Sequence, residues 1–254
     1  MWEFSLNLNI ENIDKAKRIY RTLSKFIRDD KGVVTSHEEN GYIYILIAVK
    51  GQYEEKVKTI LSNYIIEIIC NDFKMEYLEK HLSIPDYDKI GICAYKKALL
   101  NFDKETDKYI VKKNILFDTD LYIESFYRFK LKSLQEKWRE LVSLSNDNKD
   151  YFLSQESFVD LLKFLVDNLD ICEDEVSVVK EEGGYRIFLG DKKFNTNLLN
   201  EESVVSSIID LSPQKINLYF NETSNAINLL EKIFKERVTI NSSNMQNIKK
   251  FQLN

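Results

Sequence analysis

Residues 2–10, Trp-Glu-Phe-Ser-Leu-Asn-Leu-Asn-Ile, alternate without a break. Trp2, Phe4, Leu6, Leu8 and Ile10 fall on one face, and Glu3, Ser5, Asn7 and Asn9 on the other. Successive side chains of a strand point to opposite faces, so this stretch predicts a half-buried strand. The period then changes. Ile13, Ala16, Ile19, Tyr20, Leu23 and Phe26-Ile27 form a stripe at helical spacing, closed by Asp29-Asp30-Lys31-Gly32. Two further apolar runs, 33–36 and 42–49, flank Asn40-Gly41, a dipeptide that tolerates the positive φ of a tight hairpin turn. A helix from about Tyr53 toward Lys80 follows. Residues 1–82 are therefore expected to form a β-α-β-β-α unit.

Residues 83–170 read as helical: one helix to Leu100, a Lys-rich one over 104–116, a long one over 120–144 capped by Asp118 or Thr119, and one capped by Ser154 and running to Leu169. Asn146-Asp147-Asn148 separates the last two. From 171 to 241 the pattern predicts ββαβαβ. Glu181-Glu182-Gly183-Gly184 joins two strands, Asn200 caps a helix whose Glu201 and Glu202 suit its positive end, and Pro213 stops that helix. Residues 242–254 are polar and are expected to be a frayed tail. The expected fold class is α+β, with an N-terminal β-α-β-β-α unit, a helical middle and a C-terminal ββαβαβ unit.

Composition narrows the chemistry. The chain has 254 residues, with 36 Lys+Arg against 41 Asp+Glu, a net charge of −5, and 44% hydrophobic residues. It is too apolar to be disordered along its length. The first ten residues lack the basic and apolar regions of a signal peptide. The most apolar runs, 42–49 and 64–70, fall short of the roughly 20 residues a membrane span needs. A cytoplasmic protein without a membrane span is expected. Cys70, Cys93 and Cys172 are widely spaced and form no CxxC pair, so free thiols are expected and no zinc knuckle fits.

Only His37 and His81 could serve as imidazole bases. The sequence contains no GxxxxGK[ST], no GxGxxG and no GxSxG, and Gly183-Gly184 reads as a hairpin turn. The acidic pairs Asp86/Asp88, Asp118/Asp120, Glu181/Glu182 and Glu201/Glu202 fall at helix starts or turns, where capping and solvation account for them. A non-enzymatic protein with no cofactor and no metal is the expectation.

The stretch 123–139, Ile-Glu-Ser-Phe-Tyr-Arg-Phe-Lys-Leu-Lys-Ser-Leu-Gln-Glu-Lys-Trp-Arg, carries two stripes at helical spacing. Ile123, Tyr127, Leu131, Leu134, Trp138 and Leu141 are apolar; Arg128, Lys132, Gln135 and Arg139 form a basic one. Phe126, Tyr127, Phe129 and Trp138 are expected in the core. Residues 150–182 are the electrical opposite, ten acids against Lys163 and Lys180. Two roles follow for Arg128, Lys132 and Arg139: neutralising that acidic segment across a helical hairpin, or binding a partner. An unknown protein partner is expected first. Nucleic acid is the alternative, disfavoured by the net charge of −5 because affinity for duplex DNA comes largely from phosphate neutralisation.

Phe126-Tyr-Arg-Phe-Lys-Leu-Lys132 resembles the Phe-x-x-Phe-Arg-Leu-Lys signature of the YtxC-like family of sporulation proteins of endospore-forming bacteria, with Lys130 in place of the Arg. Gln155-Glu-Ser-Phe-Val-Asp-Leu-Leu-Lys-Phe-Leu-Val166 is similar to that family's second helical block, and Leu211-Ser-Pro-Gln-Lys-Ile216 with Ile233-Phe-Lys-Glu-Arg-Val238 to its C-terminal block. The family's Cys-containing tail has no counterpart in Ser242-Ser243-Asn244-Met245-Gln246. The resemblance covers about 84–240. It implies a sporulation setting in a bacterial cytoplasm and brings no reaction, and therefore no catalytic residues.

Overall fold

The computed structural model describes residues 1–84, 88–148, 150, 154–190, 192–194, 197, 199–219 and 224–241. The fold is α+β, and its contacts divide into two units. One comprises residues 1–77 and 104–140, the other 78–103 and 141–254. The helices expected over 83–170 are thus shared between two units, each built around its own sheet. The frayed tail expected over 242–254 lies outside the described residues.

The first unit holds β1 (Trp2–Asn9), α1 (Ile13–Phe26), β2 (Gly32–Glu39), β3 (Tyr42–Val49) and α2 (Glu54–Glu67), in the expected order. β1 and β2 both run antiparallel to β3, which lies between them. A short strand, β4 (Asp120–Tyr122), adds to the other side of β1 in parallel, giving the order β2-β3-β1-β4. Phe4, Leu6 and Leu8 of β1, Ile43, Ile45, Ile47 and Val49 of β3 and Leu121 of β4 are buried against Ala16, Ile19 and Leu23 of α1 and Val57, Leu61 and Ile65 of α2. Alternation and helical spacing meet in one core, as period-two and period-3.6 patterns require.

Strand register is set at the β2–β3 hairpin. Glu39 pairs with Tyr42, and the two residues between, Asn40 and Gly41, have φ of 50° and 79°. That is a type I′ turn, whose twist matches that of the strands. At the far end of the hairpin, Gly32 sits where a Cβ would lie 2.2 Å from the Ala48 carbonyl oxygen and 2.8 Å from the Val49 Cα.

After α2 the helix does not end. It widens into a π-helical turn over Ile68–Phe73 and resumes as α3 (Lys74–His81). α4 (Lys89–Asn101) belongs to the second unit, and α5 (Lys104–Asn114) returns to the first. Residues 120–144 are not one helix. The chain forms β4, then α6 (Ile123–Lys130), breaks at Leu131 (φ −109°, ψ 39°), and continues as α7 (Lys132–Asp147).

The second unit contains α8 (Gln155–Asp167), β5 (Glu173–Glu181), β6 (Gly184–Leu189), β7 (Lys192–Lys193), α9 (Glu201–Leu211), β8 (Pro213–Tyr219), α10 (Asn225–Phe234) and β9 (Val238–Ile240). The sheet order is β7-β6-β5-β8-β9, with β5, β8 and β9 parallel. Ser154 and Asn200 cap α8 and α9 as expected, through the Ser157 and Ser203 amides. A row of polar contacts locks α4 to α9: Cys93 Sγ to Ser206 Oγ at 3.1 Å, and Lys97 and Asn101 each to the Asp210 carboxylate at 2.7 Å.

Gly32→Ala is expected to cost about 1–3 kcal/mol, because the new methyl meets backbone that can move only with the strand. Urea unfolding checks this, and a cost below about 0.5 kcal/mol would show that β2 yields there.

Candidate functional site

The stretch 123–139 folds around its apolar residues. Ile123, Phe126, Leu131, Leu134 and Trp138 are buried in the core of the first unit, with Trp138 fully enclosed. Trp138 stacks on Tyr127 at 5.7 Å between centroids and lies 6.0 Å from Tyr77. Its indole N–H finds a buried acceptor, Asp107 Oδ2 of α5, at 3.1 Å.

Asp107 takes two further donors. Lys74 Nζ reaches Oδ2 at 2.7 Å, and Lys137 Nζ reaches Oδ1 at 2.6 Å. Asp107 and Lys74 are both buried, and burial pushes the Lys74 amine below the usual lysine range despite the carboxylate beside it. Lys74 is the first residue after the π-helical turn. Such a turn offsets the residues that follow it on the helix surface, and here the residue immediately past it meets Asp107. α7 is thereby tied to α5 through two adjacent residues, Lys137 and Trp138.

The break at Leu131 is held by Gln135. Its side-chain Nε2 donates to the Tyr127 carbonyl at 2.6 Å and the Arg128 carbonyl at 3.3 Å. These carbonyls belong to the last turn of α6, whose acceptors have no partner within the helix. Gln135 therefore caps α6 and does not belong to a basic stripe. Arg128 and Lys130 in that last turn also complement the negative end of the helix.

The three cations singled out by sequence are all exposed. Lys132 and Arg139 share a face of α7, while Arg128 belongs to α6, so the stripe is divided by the break at Leu131. None of the three forms an ion pair among the described residues. Three of the ten acids expected to neutralise them are engaged elsewhere. Asp167 pairs with Lys163 and lies 3.9 Å from Arg237; Glu175 meets Lys215 and Asn217; Glu181 holds Arg186 through two nitrogens. For Glu175 and Glu181 the reason is sheet geometry: β5 and its neighbours place Lys215 and Arg186 beside them, while Asp167 meets Lys163 one turn before it on α8.

One aromatic departs from expectation. Phe126 and Trp138 are buried and Tyr127 is half-buried, but Phe129 is 69% exposed. Phe129 lies in the last turn of α6, which ends at Lys130. Arg128, Lys130 and Lys132 surround it in sequence and are exposed with it.

The titratable groups elsewhere have structural surroundings. Cys70 is buried in the π-helical turn, and burial pushes its thiol up to about 12. Cys93 is half-buried and Cys172 exposed. His37 stacks on Tyr44 at 4.8 Å on the helix-free face of the first sheet. Among the described residues, no group of three or more His, Cys, Asp or Glu could hold a metal ion, and no helix is long and apolar enough to cross a membrane.

Trp138→Ala is expected to cost about 3–5 kcal/mol, the usual loss for a buried large aromatic. Trp138→Phe, which keeps a ring but removes the donor to Asp107, is expected to cost about 1–3 kcal/mol. Urea unfolding of both variants would contradict the described packing if neither loss exceeded about 1 kcal/mol. Thiol labelling should separate the cysteines. Cys172 reacts at once in the folded protein, Cys70 only on unfolding, because its thiolate is suppressed and enclosed. Rapid native labelling of Cys70 would contradict its described burial.

No family model matches the chain, and no curated protein or solved structure matches it.

Proposed function

We propose that the chain is a non-enzymatic binding protein that engages an acidic protein partner through Arg128, Phe129, Lys130, Lys132 and Arg139. The carrying observation is Phe129, a large aromatic left in solvent beside three cations. A lone exposed aromatic is ordinary on a protein surface. Aromatic and arginine side chains together are the residues that most often dominate protein interfaces. The buried Asp107 network supports this reading, because it anchors α7 and gives the exposed cations a firm base. The resemblance of 126–132 to the YtxC-like block supports a sporulation role in a bacterial cytoplasm for the same residues.

A second reading rests on the same Phe129. An exposed aromatic among cations also suits a single-stranded nucleic acid, whose bases stack while its phosphates are neutralised. The net charge of −5 opposes it.

The test uses Arg128→Ala/Lys132→Ala/Arg139→Ala and, separately, Phe129→Ser. Each exposed cation contributes about 0–1 kcal/mol to stability at most, so both variants should unfold close to wild type in urea. In an endospore-forming host that carries the gene, both are expected to lower the yield of heat-resistant spores. A folded triple variant with normal sporulation would sink the partner site. Binding of single-stranded DNA or RNA whose log K falls with log salt, more shallowly in the triple variant, would favour the second reading.

A further inference from the structure

We propose that β2 is an assembly edge: it pairs antiparallel with β2 of a second copy of this chain, about a two-fold axis at Thr35. The strand lies at the end of the first sheet, with β3 on one side and, among the described residues, no strand on the other. It is eight residues long, Gly-Val-Val-Thr-Ser-His-Glu-Glu. Edge strands are ordinarily protected by shortness, by a proline, by a bulge or by an inward charge. Neither these nor a charged side chain occurs between Gly32 and Ser36, where Val33 stands 65% exposed; the charges of the strand, Glu38 and Glu39, are confined to its turn end.

The hairpin fixes which backbone groups are available. In a two-residue hairpin the residues flanking the turn, Glu39 and Tyr42, form a hydrogen-bonded pair. The pattern alternates, so His37, Thr35 and Val33 also bond to β3, opposite Tyr44, Leu46 and Ala48. Gly32, Val34, Ser36 and Glu38 therefore turn their N–H and C=O groups outward. An added strand must bond to these four.

Self-pairing must bring outward-facing residues together, which restricts the register. With Thr35 opposite Thr35, Val34 meets Ser36, Gly32 meets Glu38, Val33 meets His37, and Lys31 comes opposite Glu39. Every hydrogen-bonded position then finds an outward-facing mate. The acidic end of each strand falls beside the Gly32 end of the other, next to Lys31. Parallel pairing in register would instead set Glu38 and Glu39 against their own copies, and like charges directly opposite destabilise a ladder. Thr–Thr at the axis is among the favourable cross-strand pairs.

The flank of the strand fits the same register. A groove beside Ser36 and Glu38, on the helix side of the sheet, is lined by Ile13, Ala16, Tyr20 and Ile43 together with Lys17 and His37. The second copy's Val34, opposite Ser36, projects to that side. An isopropyl group thus meets Ile13, Ala16 and Ile43 in a groove of mixed character at each end of a symmetric pair. Closed two-fold pairing of this kind also removes the exposed edge, where open addition would extend it.

The test is the mass of the full chain in solution. Sedimentation equilibrium is expected to give twice 30.0 kDa. Ser36→Pro should return it to a single chain. The Ser36 N–H points away from β3, so proline there removes no bond of the ladder and is compatible with an edge. Far-UV circular dichroism and urea unfolding should match wild type and show that the variant is folded. The register has its own readout. Opposed Cα atoms in a non-hydrogen-bonded pair lie about 4.5 Å apart, within disulfide range. In a Cys172→Ser background, Thr35→Cys should cross-link to a dimer on mild oxidation, and Val33→Cys, four residues out of step with its own copy, should not. A single-chain mass for the wild type at every concentration would overturn the proposal. A dimer that persists in Ser36→Pro, or Val33→Cys cross-linking as readily as Thr35→Cys, would overturn it equally.

Discussion

Asp107 is a carboxylate with no exposed surface, and three donors from two other helices converge on it. Burying such a group unpaired would cost several kcal/mol, and the cost is met only if its oxygens are held by well-placed donors. That condition constrains much of the first unit. α5 must present Asp107 inward, α7 must offer Lys137 and Trp138 on adjacent positions, and the segment after α2 must deliver Lys74 to the same oxygen as the indole. Replacing Asp107 alone would take this acceptor from the buried Lys74 and the indole together, a loss of about 3–5 kcal/mol in comparable buried pairs. An apolar pair of the right shape could hold the helices as firmly, so the ions contribute specificity of position more than net stability.

The π-helical turn at Ile68–Phe73 belongs to the same constraint. In a regular helix the stripe of Val57, Leu61 and Ile65 would continue at spacings of three and four, and Lys74, nine residues past Ile65, would fall on the opposite side. One widened turn shifts the frame. Ile68, Ile69, Cys70 and Phe73 stay buried while Lys74 is brought to Asp107. The feature acts as a spacer between an apolar helix and a polar anchor. Cys70 within it is enclosed by that arrangement and is kept protonated.

The sheets and their hairpins were legible in the sequence because a period of two is hard to mistake, and Asn40-Gly41 and Gly183 mark turns that other residues resist. The buried position of Trp138 was legible from its spacing with Leu131 and Leu134. The break at Leu131 was not. Leu131 and Leu134 fit an unbroken stripe, and only the fold shows Gln135 turning back to the α6 carbonyls. Asp107 was equally hidden, since an acid in a Lys-rich helix reads as solvated. One available clue was that a buried indole needs an acceptor. Phe129 was misplaced for the same reason as the helix: once 120–144 is read as continuous, its aromatics fall together on one side. β4 escaped notice because three residues are too few to establish alternation.

The exposed basic residues and the buried acidic one are parts of a single arrangement. Lys137 faces Asp107, and Lys132 and Arg139 of the same helix face solvent. Two neighbouring cations of one helix therefore do unlike work, decided by a rotation of about 100° per residue. A change at Lys132 or Arg139 alters what the surface attracts and leaves the anchor untouched; a change at Lys137 alters the anchor first. The same separation holds across the unit. β2 lies at the sheet edge, on the far side of β3 and β1 from β4, while the cations follow β4 through α6 and α7. A second copy added at β2 would extend the sheet away from β4. The edge and the cationic surface therefore need not compete, and pairing at β2 would give the assembly two copies of the Arg128–Phe129 surface, so that two weak contacts could act on one multivalent partner.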